Sequence, residues 1–373
     1  MPISPADGED LAVEVGRVYR EAELALLELL ARALAGGWTS PRWAELKLRA
    51  LGNLQSGVTD LVGALRRDAT GALSAAVHEA YRRGSQAAVA ELGMLPEGQR
   101  AAALRALPQA RTVDRLAAAA VAEQGPVYRR ILRAVPDAYR RVVARVSGTV
   151  LLGAQTRQQA AQRALDRFAD RGISGFTDRA GRSWDMASYA EMATRSATGR
   201  AAIQGHTDRL QAIGQQLVIV SNSPLECPLC RPWEGKVLTL TGPAGPQRVS
   251  VPHATRDGER VTVHIAGSLD EARAAGLFHP NCRHSLSLYL PGVTTPAPSP
   301  PHPGGATYED TQQQRYLERQ VRTWKRRAAV AVDDQAKRLA GQKVRAYQKR
   351  IRELTAEKQL RRKPQREQIG TAR

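Results

Sequence analysis

Gln216-Leu-Val-Ile-Val-Ser-Asn-Ser-Pro-Leu-Glu-Cys-Pro-Leu-Cys230 is the stretch on which the reading of this chain turns. Before it, residues 9–215 read almost entirely as helix. At Leu217 the apolar period falls from three or four residues to two. Short β-branched runs follow at Gln216–Val220, Lys236–Leu240, Gln247–Val251, Arg260–Ile265 and Ser285–Leu290, parted by Gly/Pro turns. Ser268 to Ala275 reads as a short helix before the last of them. The fold expected is α+β: a helical body over 1–215, a β-rich Cys/His module over 216–290, a Pro/Gly linker over 291–305 and a basic helical tail over 306–373.

The same stretch carries two of the chain's three cysteines, Cys227 and Cys230. The third lies in His279-Pro-Asn-Cys282-Arg-His284. A gap of two residues lets two side chains of one turn reach a single ion, and zinc prefers four thiolate or imidazole donors in a tetrahedron. Cys227 with Cys230 forms one such pair and His279 with Cys282 the other. His284 is an alternative fourth ligand or a partner outside the coordination set. The first pair follows a predicted strand and the second precedes one, so a sheet can bring them together. The competing reading is a set of buried thiols that stabilise the loops without metal. Four protein donors leave no open position for water, so such a site is structural. His-Pro-Asn-Cys-Arg-His also has a superficial likeness to a His-Asn-His nuclease, but that metal fold needs a helix after the motif, where Ser285–Leu290 reads as a strand.

Upstream, Leu11, Val15, Val18, Ala22, Leu26, Leu29 and Leu30 recur at helical spacing. Thr39-Ser40-Pro41 is a helix start, with a hydroxyl cap before a proline, and that helix is expected to run through Leu65. A further helix covers Ala72 to Leu92. Pro96, Pro108, Pro126 and Pro136 punctuate the next segment, and another helix covers about Val142 to Asp170. Gly172 to Ser183 reads as a polar turn, with Asp178, Arg179 and Arg182 in salt-bridged positions, and Trp184 to Gln215 as one long helix. His78 and His206 fall in helices as surface or core residues, and Trp184, Tyr189 and Met192 as packing.

Net charge is +19, which points to a polyanionic partner or surface. Residues 306–373 hold 19 Lys/Arg against 8 Asp/Glu, so +11 of it lies there. Lys325-Arg326-Arg327 and Arg361-Arg362-Lys363 are the candidate nucleic-acid contacts, through phosphates and without sequence preference. The alternatives are a docking helix and an ordinary solvated face. Leu317, Val321, Trp324, Ala328, Val332, Leu339, Val344, Tyr347, Ile351 and Leu354 approximate one stripe. A continuous helix over 309–360 would be about 75 Å long, with Gly341 as a point of interruption. Residues 291–305 contain six prolines and three glycines, a stiff extended connection.

An odd cysteine count and no apolar leader over Met1–Asp10 argue against a disulfide framework and for a reducing cytoplasm. No stretch approaches the ~20 apolar residues that span a bilayer. Nucleophile elbows, phosphate-binding loops and HExxH are absent from the sequence.

Several blocks together resemble a family: Ala80-Tyr-Arg-Arg-Gly84, Phe176-Thr-Asp-Arg-Ala-Gly-Arg-Ser-Trp184, Ser188-Tyr-Ala-Glu-Met-Ala-Thr-Arg195, Cys227-Pro-Leu-Cys-Arg-Pro-Trp-Glu-Gly-Lys-Val237, Gly276-Leu-Phe-His-Pro-Asn-Cys-Arg-His284 and Gln314-Arg-Tyr-Leu-Glu-Arg-Gln-Val-Arg322. In this order they resemble the phage minor capsid proteins of the second type, related to the Mu F-like head-morphogenesis proteins of tailed phages. The resemblance implies a structural virion component rather than an enzyme, made in the bacterial host and placed at the portal vertex or capsid interior. It implies the portal protein or the major capsid protein as partners; the charge of the tail adds double-stranded DNA as an expected contact, and no membrane is expected. Some relatives carry a toxin domain after this module; the residues beyond the linker are too few and too charged for one.

Overall fold

A computed structural model describes residues 3–35, 37, 40, 42–94, 101, 110–151, 156–171, 174–177, 183–223, 225–279, 282, 284–295, 302–331 and 334–369. Its helices are α1 (Glu9–Ala35), α2 (Trp43–Glu91), α3 (Ala110–Leu151), α4 (Arg157–Arg171), α5 (Met186–Ala212), α6 (Leu269–Ala274), α7 (Tyr308–Ala329) and α8 (Asp334–Glu357). The strands are β1 (Ser174–Thr177), β2 (Ser183–Asp185), β3 (Leu217–Val220), β4 (Val237–Thr239), β5 (Gln247–Pro252), β6 (Arg260–Ser268) and β7 (Leu286–Leu288). The fold is therefore α+β, a long helical region followed by a small sheet. No described helix is long and apolar enough to cross a membrane.

Each β-branched run of the module forms a strand. The five-stranded sheet has the order β5-β6-β4-β3-β7, antiparallel except for β4 against β6. Val237, Val263 and Ile265 form its buried cluster, with Leu217, Val249, Val251, Val261 and Tyr289 packed against them. The short helix expected after Ser268 is α6. Its start is a capping box: Ser268 accepts from the Glu271 backbone amide at 3.1 Å while the Glu271 carboxylate faces the Ser268 amide.

The helical region departs from the periodicity in four places. The pattern predicts two helices between Pro41 and Leu92, and α2 is one. Pro126 and Pro136 lie inside α3 rather than ending helices; Val127, Ile131, Val135 and Tyr139 are buried on both sides of them, and that packing outweighs two lost backbone hydrogen bonds. The helix read over Val142–Asp170 is instead the end of α3 and, separately, α4. The turn region before Trp184 contains a β1–β2 hairpin with Phe176 opposite Trp184, so α5 starts only at Met186. Asp178, Arg179, Gly181 and Arg182 lie outside the described residues.

The tail is also not one helix. It breaks after Ala329, while Gly341 sits inside α8. A single 50-residue rod would leave its apolar stripe in water. Broken there, Leu317 and Val321 of α7 bury against Ile351 of α8, with Val344, Tyr347 and Leu354 around them. Of the Pro/Gly run, 296–301 lies outside the described residues.

The chain divides into two compact units. Unit 1 is Met1–Ala12, Leu73–Val121 and Met192–Tyr308; unit 2 is Val13–Ala72, Ala122–Glu191 and Glu309–Arg373. In unit 1, α2 and α5 cross in near backbone contact at Gly84 and Gly205: a Cβ on Gly84 would lie 1.9 Å from the Ala202 carbonyl oxygen, and one on Gly205 2.1 Å from that of Tyr81. The Tyr81 hydroxyl donates to Asp208 at 2.6 Å across the crossing. Glu91, at the end of α2, faces His206 of α5 at 3.1 Å and accepts the Leu288 amide of β7 at 2.7 Å. The helix pair thereby fixes the sheet edge on which the Cys/His loops depend.

Unit 2 is a helical body with Tyr19, Leu26, Leu27 and Leu30 of α1 buried, as are Leu54 and Val58 of α2. The buried Lys47 ammonium caps the α1 carboxyl end, donating to the Leu34 carbonyl at 2.7 Å. Arg326 of α7 is buried in this unit, its guanidinium on Glu23 at 3.3 Å and on the Ala169 carbonyl at 2.9 Å. Residues after α8 fold back as a strap: Arg322 donates to the Arg366 carbonyl, Lys325 to Gln368 at 2.8 Å, and Arg362 holds the buried Glu367 carboxylate at 2.9 Å.

Candidate metal centre

The cysteine and histidine loops meet because β3 and β7 pair. The register sets Val220 against Leu286, so the end of β3 adjoins the start of β7. Ser221 and Ser285 extend the contact, with the Ser221 amide donating to the Ser285 carbonyl at 3.0 Å. The chain leaves β3 into the loop with Cys227 and Cys230 and enters β7 from the loop with His279, Cys282 and His284. A separation of 52 residues between Cys230 and Cys282 thus closes at one sheet end.

Each half of the cluster is built by a local turn. The Cys230 and Arg231 amides both donate to the Cys227 carbonyl at 3.1 Å, which turns the two thiols toward one point. The Cys282 amide donates to the His279 carbonyl at 2.8 Å. Just before it, Gly276 (φ 108°) and Phe278 (φ 59°) take left-handed backbone conformations. Such a φ is costly for a bulky residue, and here it swings the chain from α6 back toward the cysteines.

All five residues picked out by spacing come together. Cys227, Cys230 and His279 form one group with mutually close donor atoms, and Cys230, Cys282 and His284 a second; the two share Cys230. Cys227 Sγ lies 3.0 Å from His279 Nε2, Cys230 Sγ 3.5 Å from Cys282 Sγ, and Cys282 Sγ 3.4 Å from His284 Nδ1. Tetrahedral edges around zinc come to about 3.8 Å for S···S and about 3.6 Å for S···N, taking bonds of about 2.3 and 2.0 Å. The Cys230–Cys282 and Cys282–His284 pairs stand near those separations, and the Cys227–His279 pair stands closer than its edge. The three cysteines are buried and free of disulfides, and His284 is 1% exposed. These residue types fit a thiophilic ion; among the described residues their donors form two groups of three, with His279 beside Cys227 and Cys230 and His284 beside Cys230 and Cys282.

The spacing argument missed Glu234. Its carboxylate lies 2.6 Å from His284 Nε2 and accepts the Ser223 amide at 2.9 Å. A carboxylate on the far nitrogen fixes the ring so that Nδ1 faces the thiols. In the sequence Glu234 is an acid four residues beyond Cys230, outside any ligand spacing.

The close donors also couple to one another electrostatically. The Cys230 hydrogen bond, then the His284 contacts, lower the Cys282 pKa against the effect of burial. The same Cys282 contact, with burial, raises that of Cys230. Burial opposes a charge on His284, but Cys282 and Glu234 outweigh it and raise its pKa. One thiolate is therefore favoured in the cluster, the form that binds metal.

The six cations marked for nucleic acid are not equivalent. Arg326 is buried on Glu23, Arg327 pairs with Asp170 and stacks 4.2 Å over Trp324, Lys325 reaches Gln368, and Arg362 holds Glu367. Arg361 is exposed and Lys363 half-buried. Arg326 faces no solvent, so its charge serves the interior of unit 2. Among the histidines, His78 lies 2.9 Å from Asp114 and His206 is fully buried.

Comparisons with known proteins converge. A structural protein of Lactococcus phage LL-H is 27% identical over 225 residues, 59% of this chain and 58% of that protein, so the match spans little more than half of the relative's length. No solved structure matches. The family profile described as Phage minor capsid protein 2 matches residues 3–356, nearly the whole chain. That span runs from before α1 into α8 and includes the Cys/His loops, and the chain belongs to the phage minor capsid protein 2 family.

Proposed function

We propose that the protein is a structural component of a tailed-phage head in which one zinc ion, held by four of Cys227, Cys230, His279, Cys282 and His284, pins the loop after β3 to the loop before β7. Family membership carries the structural role. The donor set carries the metal: three buried thiols and two imidazoles are the ligands of a borderline-soft ion. When bound, the ion supplies cross-linking and no turnover, since four protein donors complete its coordination. Glu234 orients His284, and the turns at Cys227 and His279 present the sulfurs. The protein associates with the portal protein or the major capsid protein inside the virion, and its basic residues meet packaged DNA.

The test has two parts. Mass spectrometry of purified virions is expected to find this chain alongside the portal protein; its absence from the particles overturns the structural role. Native mass spectrometry of the purified protein is expected to count one zinc ion that Cys230→Ser loses; a folded, metal-free wild type removes the clasp. The nuclease alternative gains nothing from the fold, because β7 stands where that metal fold requires a helix. DNA cleavage abolished by His279→Ala would reinstate it.

A further inference from the structure

The fold moves the positive charge from the tail to a body. The segments 13–72, 122–191 and 309–373 of unit 2 carry +1, +5 and +11, so this unit holds +17 of the chain's +19 and unit 1 only +2. Much of the charge around Lys325–Arg327 is engaged internally. The exposed charge lies on other elements.

On α8, Arg338, Arg345, Lys349 and Arg352 follow at i, i+7, i+11 and i+14, which sets them on one side of the helix, and all four are exposed. Lys337 flanks them. Arg338, Arg345 and Arg352 form no ion pair among the described residues; of the carboxylates on this side, Glu353 lies 3.7 Å from Lys349 and Asp334 stands exposed one turn before Arg338. The opposite side of α8 is buried against α7. Among the described residues of α8, Leu339 is the large apolar side chain left exposed, too little for a lipid surface, which needs a continuous apolar face. On α3, Tyr128-Arg-Arg-Ile131 recurs eleven residues later as Tyr139-Arg-Arg-Val142. Eleven residues make three helical turns. Both tyrosines are accordingly buried, and Arg129, Arg130, Arg133, Arg140 and Arg141 are all exposed. The one acid among them, Asp137, pairs with Arg140 at 2.9 Å.

We propose that these two faces, the α8 row and the α3 arginines, are where the protein takes double-stranded DNA, through its phosphates and without base readout. The inference rests on the proposed contact with packaged DNA and replaces the residues assigned to it. The α8 row is about 21 Å long, which matches the rise of about six base pairs at one charge per ~1.7 Å. Guanidinium groups suit phosphate because they donate two parallel hydrogen bonds.

The experiment measures binding of the full-length protein to a 30-base-pair duplex by fluorescence anisotropy across a salt series. Each lost phosphate contact flattens the log–log slope by about 0.9. Arg338→Gln/Arg345→Gln/Lys349→Gln/Arg352→Gln is expected to flatten it by 3 to 4 units, and Arg129→Gln/Arg133→Gln/Arg141→Gln by 2 to 3 units. Arg338→Lys/Arg345→Lys/Arg352→Lys keeps the charge and is expected to keep the wild-type slope, which separates charge from damage to the helix. Wild-type slopes in both glutamine variants, or a loss confined to Arg361→Gln/Lys363→Gln, overturn the assignment while the DNA reading stands. An acidic protein partner at these faces would give the same unchanged slopes. A wild type with no salt-dependent DNA binding overturns both.

Discussion

Gly84→Ala and Gly71→Ala place the same methyl group on the same helix, α2, and are expected to act with opposite sign. At Gly71 a Cβ would meet nothing within 4 Å. There the change removes backbone freedom from the unfolded chain and stabilises by about 1 kcal/mol. At Gly84 the added carbon would stand 1.9 Å from the Ala202 carbonyl oxygen, 2.8 Å from its carbon and 3.0 Å from the His206 amide nitrogen. Ordinary contact is at about 3.5 Å, so α2 and α5 must part by more than an ångström. The obstacles are helix backbone, which cannot rotate aside. Overpacking costs about 3 kcal/mol at the upper end of its usual range, and the propensity gain offsets about 1 of it. The net is about 2 kcal/mol of destabilisation, before any weakening of the Tyr81–Asp208 bond. Thermal scanning should show Gly84→Ala melting about 4–8 °C below wild type and Gly71→Ala a few degrees above it. Because Glu91 bridges His206 and the Leu288 amide, the parted helices should also loosen β7 and speed loss of metal to a chelator. A Gly84→Ala protein melting at or above wild type refutes the close crossing.

Arg326→Met leaves the Glu23 carboxylate buried without its guanidinium and should cost about 3 kcal/mol in urea titrations, with most of the loss recovered in Arg326→Met/Glu23→Met; an unaffected single variant would show that the pair is not buried in solution. Hydrogen bonding from Arg82, against the opposing effect of burial and with a further hydrogen bond from Arg83, holds the Glu79 carboxyl at about 2, below its ordinary value of 4.5. Its contribution is therefore complete above about pH 4.5 and lost as pH falls toward 2. Wild type and Glu79→Gln should differ by less than about 1 kcal/mol at neutral pH, the site being partly exposed, and converge at acid pH; a constant difference would refute the pairing. Glu234→Gln should lower metal retention at least about tenfold in chelator competition, and unchanged retention would place His284 outside the coordination set.

The β-module was legible because its information is local. Alternation at Gln247–Val251 and Arg260–Ile265 gave strands, and the Cys227/Cys230 and His279/Cys282 spacings gave paired donors. The β3–β7 pairing that unites them was an expectation the spacing could suggest but not set, since register depends on neighbours some 65 residues away. Glu234 escaped because an acid outside a ligand spacing has no pattern of its own. The helical region was less legible. Pro126 and Pro136 carry a local signal to stop, which the buried Val127, Ile131 and Val135 override. In the tail, the stripe from Leu317 to Leu354 fits one long helix or two folded together equally well; burial of the stripe on itself decides for two. The charged residues misled most, because Lys325-Arg326-Arg327 reads as a surface cluster until Glu23 and Asp170 are found beside it.

Glu23 and Arg326 are 303 residues apart in the chain and neighbours in the interior. During translation at about 5–20 residues per second, the acid leaves the ribosome roughly 15–60 seconds before its counterion exists. Until then the helices of unit 2 hold Glu23 without that guanidinium. A chain ending before residue 326 never gains that counterion. This ion pair is thus among the last contacts of the body to form.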